Sequence, residues 1–177
     1  MYNLWGLRIG RKMESTLYPL LFTYCDILAG NGFIAGVQVL GRASMVQEAD
    51  GDVWIYGVTP GGLSDGGASQ KEAAAAFRET YSAVLFDISA ESANFADFKA
   101  AAEEFYHDAS DETVREWRAA VALVRRGELS LDWLEKESSD SCDFSVQVVE
   151  LAIDADASAK RRPEASFNTP PRLMQAA

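Results

Sequence analysis

The side chains best equipped for chemistry in this chain of 177 residues are one histidine, two cysteines and a few aspartates at turn-like positions. His107 is the one imidazole, so a Ser/His/Asp relay could exist only around it, and it stands at the polar end of a helix-like segment, where a solvated or helix-terminal histidine is the ordinary outcome. Asp50, Asp52, Asp65 and Asp87 could in principle gather as a carboxylate metal site, but Asp50 and Asp52 flank Gly51, which is common hairpin chemistry. Cys25 and Cys142 are far apart, with no CxxC spacing and no His-rich companion, so they read as structural thiols and suggest neither a disulfide framework nor a zinc site. No catalytic residue, cofactor or metal is expected from these types and spacings.

The run Pro60-Gly61-Gly62-Leu63-Ser64-Asp65-Gly66-Gly67 sits between a strand and a helix start. Glycine amides at a helix N-terminus can hold a phosphate, so Gly61, Gly62, Gly66 and Gly67 form a candidate loop for a small ligand or anion. Against that use, the loop lacks the Lys-Ser/Thr pair of a P-loop and the GxGxxG order, and Asp65 would repel an anion.

Charge narrows the partners. Sixteen basic against 27 acidic residues give −11. The ends are basic: Arg8, Arg11 and Lys12 without an acid in 1–12, and Lys160, Arg161, Arg162 and Arg172 against Glu164 in 157–177. Residues 13–156 therefore hold nine basic against 26 acidic residues, −17. Such a body repels phosphate backbones and attracts basic partners, so direct nucleic-acid binding by the folded part is not expected, and a small basic protein is. Trp54, Trp117 and Trp133, with nine Phe, read as core rather than as a base-stacking platform.

These residues must be positioned by an α+β fold. Leu17–Leu28, Phe33–Leu40 and Val53–Val58 read as three antiparallel strands, turned at Gly30-Asn31-Gly32 and Asp50-Gly51-Asp52, with Gly36 and Gly41 marking bulges or a bend. The Pro60–Gly67 run reads as a flexible connection. Ser69 and Glu72 make a capping box for a helix over Gln70–Ile88, whose Ala73, Phe77, Tyr81, Leu85 and Ile88 share one face. Helices over 92–106 and 111–126 follow, the latter stopped by Gly127, then a short helical turn around Leu131–Glu137. Phe144–Ile153 reads as a returning strand whose apolar phase switches once, which suggests a bulge or burial on both faces. The expected architecture is a small, mostly antiparallel sheet of about four strands, β-β-β-α…β, with helices packed on one side.

The order of these elements, with Asp50-Gly51-Asp52-Val53-Trp54, Pro60, Leu63, Ser64-Asp65-Gly66, Ser69, Glu72-Ala73 and Phe77-Arg78-Glu79, resembles the HicB-type antitoxin domain over about residues 33–90. That resemblance implies a degraded ribonuclease H-like fold without catalytic carboxylates, whose acidic surface masks a small basic ribonuclease toxin. The chain departs from the family's pattern in the compressed Gly61-Gly62-Leu63 and in the long helical insertion of about 92–137, and no helix-turn-helix or ribbon-helix-helix follows, so DNA autoregulation is not expected.

The expected organisation is a leader over 1–12, one domain over 13–156 and a mobile tail over 157–177. Arg8, Arg11 and Lys12 before Leu17–Cys25 imitate a signal peptide, but Asp26 interrupts the apolar run, which falls short of the ~20 residues of a membrane span. A cytoplasmic protein without a membrane segment is expected. Exposed sheet edges point to a homo-oligomer. Asp65, Glu72 and Glu79, beside the loop and along the first helix, are the expected contact residues for a cationic partner, since Glu72 and Glu79 lie two turns apart on one helical face.

Overall fold

A computed structural model describes residues 16–48, 50–132, 134–152 and 172–177. The strands are β1 (Leu17–Ala29), β2 (Ile34–Gln47), β3 (Val53–Thr59), β4 (Ser64–Gly67), β5 (Lys136–Glu137), β6 (Ser145–Leu151) and β7 (Leu173–Ala176). The helices are α1 (Gln70–Glu91), α2 (Phe95–His107) and α3 (Asp111–Arg125). The fold is thus α+β, as expected, with a larger sheet than expected.

The meander is built on two glycine turns. Gly32 at φ 81° and Gly51 at φ 100° take the left-handed backbone that tight hairpins require, and β1 pairs with β2 along its whole length. β2 is long enough to serve two partners on one edge: β3 pairs with Arg42–Gln47 and β6 with Ile34–Leu40. The register shift between Arg42 and Ala43 falls beside Gly41, where an added Cβ would meet the Phe22 ring and the Thr59 carbonyl at 2.5–2.6 Å. The sheet order is β4-β3-β2-β1-β7-β5, with β6 beside β2, and only β5–β7 is parallel.

Several expectations are corrected. Part of the Gly-rich connection is an edge strand: Ser64–Gly67 pairs with Val53–Tyr56 through its backbone. The expected helical turn around 131–137 ends instead in extended Lys136–Glu137, which borders β7. β6 has neither bulge nor two-sided burial; its register is regular, Val148 is buried and Val149 faces solvent. The expected tail is not tail throughout, because Leu173–Ala176 lies between β1 and β5. The expected leader over 1–12 and the remainder of that tail, 157–171, fall outside the described residues.

The main core alternates along β1 and β2. Leu20, Phe22, Tyr24 and Leu28 with Ala35, Val37 and Val39 meet Ala73, Phe77, Tyr81 and Leu85 of α1 and Phe98, Ala102 and Tyr106 of α2. Leu21, between two members of that cluster, packs instead with Val58, Ala176, Trp117 and Val121. α3 therefore lies against the opposite face of the sheet, and the helices are not all on one side. The Trp117 indole N–H is shared between the Leu20 and Ala43 carbonyls at 3.2 and 3.0 Å, which locks α3 to β1 and β2. Asn31 donates to the Ala90 and Ser92 carbonyls and so holds the end of α1 against the first hairpin. No helix among the described residues is long and apolar enough to cross a membrane.

Candidate functional site

The three acidic residues singled out from sequence do not form one surface. Asp65 on β4 is half-buried and committed: its Oδ2 accepts from Thr80 Oγ1 at 2.6 Å and its Oδ1 from the Gly66 amide at 2.8 Å. Glu72 closes the start of α1, accepting from the Ala68 amide at 3.1 Å, while Ser69 Oγ accepts from the Glu72 amide at 3.2 Å. Glu79 is exposed and has no ion pair among the described residues.

The glycine loop is used for packing. The Gly61 amide donates to the Asp108 carbonyl and the Gly57 amide to Leu63. A side chain at Gly66 would meet the Trp54 ring at 2.8 Å, and one at Gly67 would meet Glu72 and Ala73 at 2.6 and 2.8 Å. Gly62 lies open, with Asp108 Oδ2 as the nearest atom to an added Cβ, 3.8 Å away. The amides of Gly61, Gly66, Ala68, Glu72 and Ala73 are all taken by protein acceptors, and the Glu72 carboxylate already occupies the helix start. These five amides are therefore not free to cradle a phosphate.

The candidate chemical groups stay apart. Among the described residues no three of His, Cys, Asp and Glu come together as metal ligands. Asp50 and Asp52 sit in the β2–β3 turn, where Asp50 Oδ1 accepts from the Asp52 amide, and Asp87 is exposed near the end of α1. His107 is exposed at the end of α2, packed edge-on to Tyr106. Both thiols are pushed up, mainly by burial and further by Asp26 at Cys25 and Glu137 at Cys142, which opposes thiolate chemistry. Trp133 lies outside the described residues.

What sequence reading missed is Phe86, an aromatic side chain 52% exposed on the outer side of α1. Its neighbour Leu85 continues the buried Ala73–Phe77–Tyr81 stripe, so a step of one residue, about 100°, turns Phe86 outward. That signal was present in the helical register. Glu72, Glu79 and Phe86 follow one another at seven-residue intervals, so they share a line along the helix. Around Phe86 and Glu79, Ala75, Ser82 and Ala83 leave an open groove of about 520 Å³, flanked by Arg78. Ser82 Oγ is 3.0 Å from the Tyr24 hydroxyl, which also donates to Asp26 Oδ2 at 3.1 Å; burial pushes the Tyr24 phenol up to about 12 and keeps it neutral.

No family model, no curated protein and no solved structure matches this chain.

Proposed function

We propose that this chain is a non-enzymatic protein-binding module that captures a small basic protein, and that, following the HicB-type resemblance of residues 33–90, it acts as an antitoxin masking a basic ribonuclease toxin. The observation that carries the reading is the Glu79–Phe86 stripe on the solvent face of α1. Aromatic side chains are enriched in protein interfaces, and Glu79, two turns along the helix from Phe86, favours encounter with a cationic surface. The net charge of −11 extends that preference over long range.

Self-association and a cytoplasmic setting belong to the same proposal. On the side away from β2, β1 pairs with β7 over Leu20–Phe22, and Tyr24–Ala29 has no strand partner there among the described residues. Ile27, 52% exposed, lies within that edge. Light scattering that finds only monomer removes the oligomer.

The test of the main reading is genetic and biochemical. A small basic reading frame next to this gene should be toxic when expressed alone, relieved by this chain, and its product should co-purify with it. Absence of such a neighbour together with no binding of a basic protein overturns the antitoxin reading.

A further inference from the structure

We propose that the pocket enclosed by β1, α1 and the start of β7 is a binding site for a small aromatic carboxylate. The pocket holds about 390 Å³, near the lower end of the ~300–1,000 Å³ of small-molecule sites and roomy enough for two fused rings. Its floor is the outer edge of the aromatic part of the core: Phe22 meets Phe77 at 5.5 Å and Tyr81 at 5.8 Å, and Tyr24 meets Tyr81 at 4.6 Å. Ala74 and Ala75 supply the opening, since any larger side chain on that turn of α1 would fill it.

Lys71, Arg78 and Arg172 line the same pocket, and no carboxylate does among the described residues. In a chain with 27 acidic against 16 basic residues, three cations around one concavity run against the composition. None of the three is ion-paired among the described residues. They are placed rather than scattered. Lys71 and Arg78 are two turns apart on α1, with Ala74 between them. Arg172 is held by two hydrogen bonds to one residue, its amide donating to Thr23 Oγ1 at 2.9 Å and its carbonyl accepting from the Thr23 amide at 3.0 Å.

An apolar wall selects a ring system, and a cationic rim selects a negative charge at one end of it. The Tyr24 hydroxyl is already engaged by Asp26 and Ser82, so recognition of the charged end falls to the three basic side chains. Asp26 itself is not among the lining residues. The pocket shares Ala75 and Arg78 with the groove beside Glu79 and Phe86, but its aromatic floor lies on other residues, and the inference does not rest on that groove's being a protein-binding surface.

The test is isothermal titration of the full chain with three probes of one shape: 1-naphthoate, neutral 1-naphthylmethanol and cationic 1-naphthylmethylammonium. The expected result is that 1-naphthoate binds at least about fivefold tighter than the neutral probe and that salt reduces the difference, because the rim charges are exposed. Lys71→Gln with Arg78→Gln leaves only Arg172 and should narrow the gap between the two affinities without lowering the melting temperature. Ala74→Leu should abolish binding by filling the pocket. Should that variant lose its fold by circular dichroism, Ala75→Leu, at an exposed position, takes its place. Failure of 1-naphthoate to bind, equal affinity for the cationic probe, or undiminished binding in the leucine and glutamine variants each overturns the proposal.

Discussion

Thr80 donates its hydroxyl to the Asp65 carboxylate across 2.6 Å, and this one bond clips the edge strand β4 onto the middle of α1. β4 is only Ser-Asp-Gly-Gly and has no apolar side chain with which to hold itself to the protein. Its attachment therefore rests on backbone pairing with β3, on the close fit of Gly66 under Trp54 and on this clip. Asp65 is thus a structural residue, and of the three acids expected to meet a partner only Glu79 has no other task. Thr80→Val and Asp65→Ala should each cost about 1–2 kcal/mol in urea denaturation, the usual effect of breaking a partly buried hydrogen bond to a charge. The double variant should cost much less than the sum; strict additivity would mean that the clip contributes nothing.

If α1 presents its outer stripe to a basic partner, Phe86 and Glu79 must act differently. Phe86→Ala removes an anchor and should accelerate dissociation, weakening binding by about tenfold or more. Glu79→Lys changes a rim charge and should slow association while flattening its dependence on salt. Asp65→Asn should change neither rate. Surface plasmon resonance at two salt concentrations separates the three, and a loss confined to the Asp65 variant would move the interface to β4.

Trp117 carries the attachment of α3. Its N–H serves two carbonyls on neighbouring strands, its ring packs edge-on to Phe144 at 6.0 Å, and the Arg42 guanidinium lies over both rings. Trp117→Phe keeps an aromatic ring but deletes the donor and part of the volume, so a loss of about 2–4 kcal/mol is expected from guanidinium denaturation. Arg42→Gln should cost about 1 kcal/mol, the worth of a partly desolvated cation–π contact. A larger loss in the Arg42 variant than in the Trp117 variant would make Arg42 the main fastener instead.

The elements legible in the sequence are those whose signal is local. Ser69 with Glu72, Gly32, Gly51 and Gly127 mark their helix start, turns and stop by backbone requirements that no distant residue can change, and the structure places each there. The illegible parts depend on partners far along the chain. Leu173–Ala176 follows Pro170-Pro171 with no periodicity of its own and becomes a strand only because Leu20–Phe22 offers an edge, some 150 residues earlier. β4 has glycines where strands ordinarily carry branched residues, and its pairing is set by β3. Val149 has the side chain of a buried residue and a register that turns it outward. Among the site residues, Glu79 could be read as exposed from the helical period, whereas the commitment of Asp65 to Thr80 required knowing that β4 folds back on α1.

High pH should unfold the protein through its buried phenols. Burial pushes Tyr24 and Tyr106 up to about 12 and raises Tyr81 as well. A phenol whose folded pKa lies above its unfolded value of about 10 favours the fold while protonated. Its contribution is complete below about pH 10 and is lost as pH rises through the folded value. Unfolding free energy should therefore be insensitive to these groups up to pH 9 and fall from pH 10 upward, with absorbance at 295 nm showing the three phenols ionising together with unfolding. Full ionisation of all tyrosines at pH 11 with near-ultraviolet dichroism intact would contradict it.

The final strand should matter more than its four residues suggest. Gln175 is wholly buried, its Oε1 accepts from the buried Leu131 backbone amide at 3.1 Å, and its backbone N–H donates to the Glu135 carbonyl at 2.9 Å. β7 thus connects β1 to β5 and also stitches down the segment after α3, where Leu131 enters the main core. Gln175 Nε2 is buried without a partner among the described residues, so the side chain is present at some cost and its acceptor oxygen is what retains it. Gln175→Met keeps the volume and removes the acceptor; it should cost about 1–3 kcal/mol, the penalty of leaving the Leu131 N–H unsatisfied, offset in part by relief of Nε2. Gln175→Glu restores an acceptor but buries a carboxyl, so it should be tolerated at pH 4 and destabilise at pH 8. Deleting 173–177 removes both roles and should abolish hydrogen-exchange protection at Leu131 as well as at Leu21, while the α1–α2 face keeps its own. Protection at Leu131 that survived the deletion would show that this segment is held by its core contacts alone and that Gln175 fastens nothing.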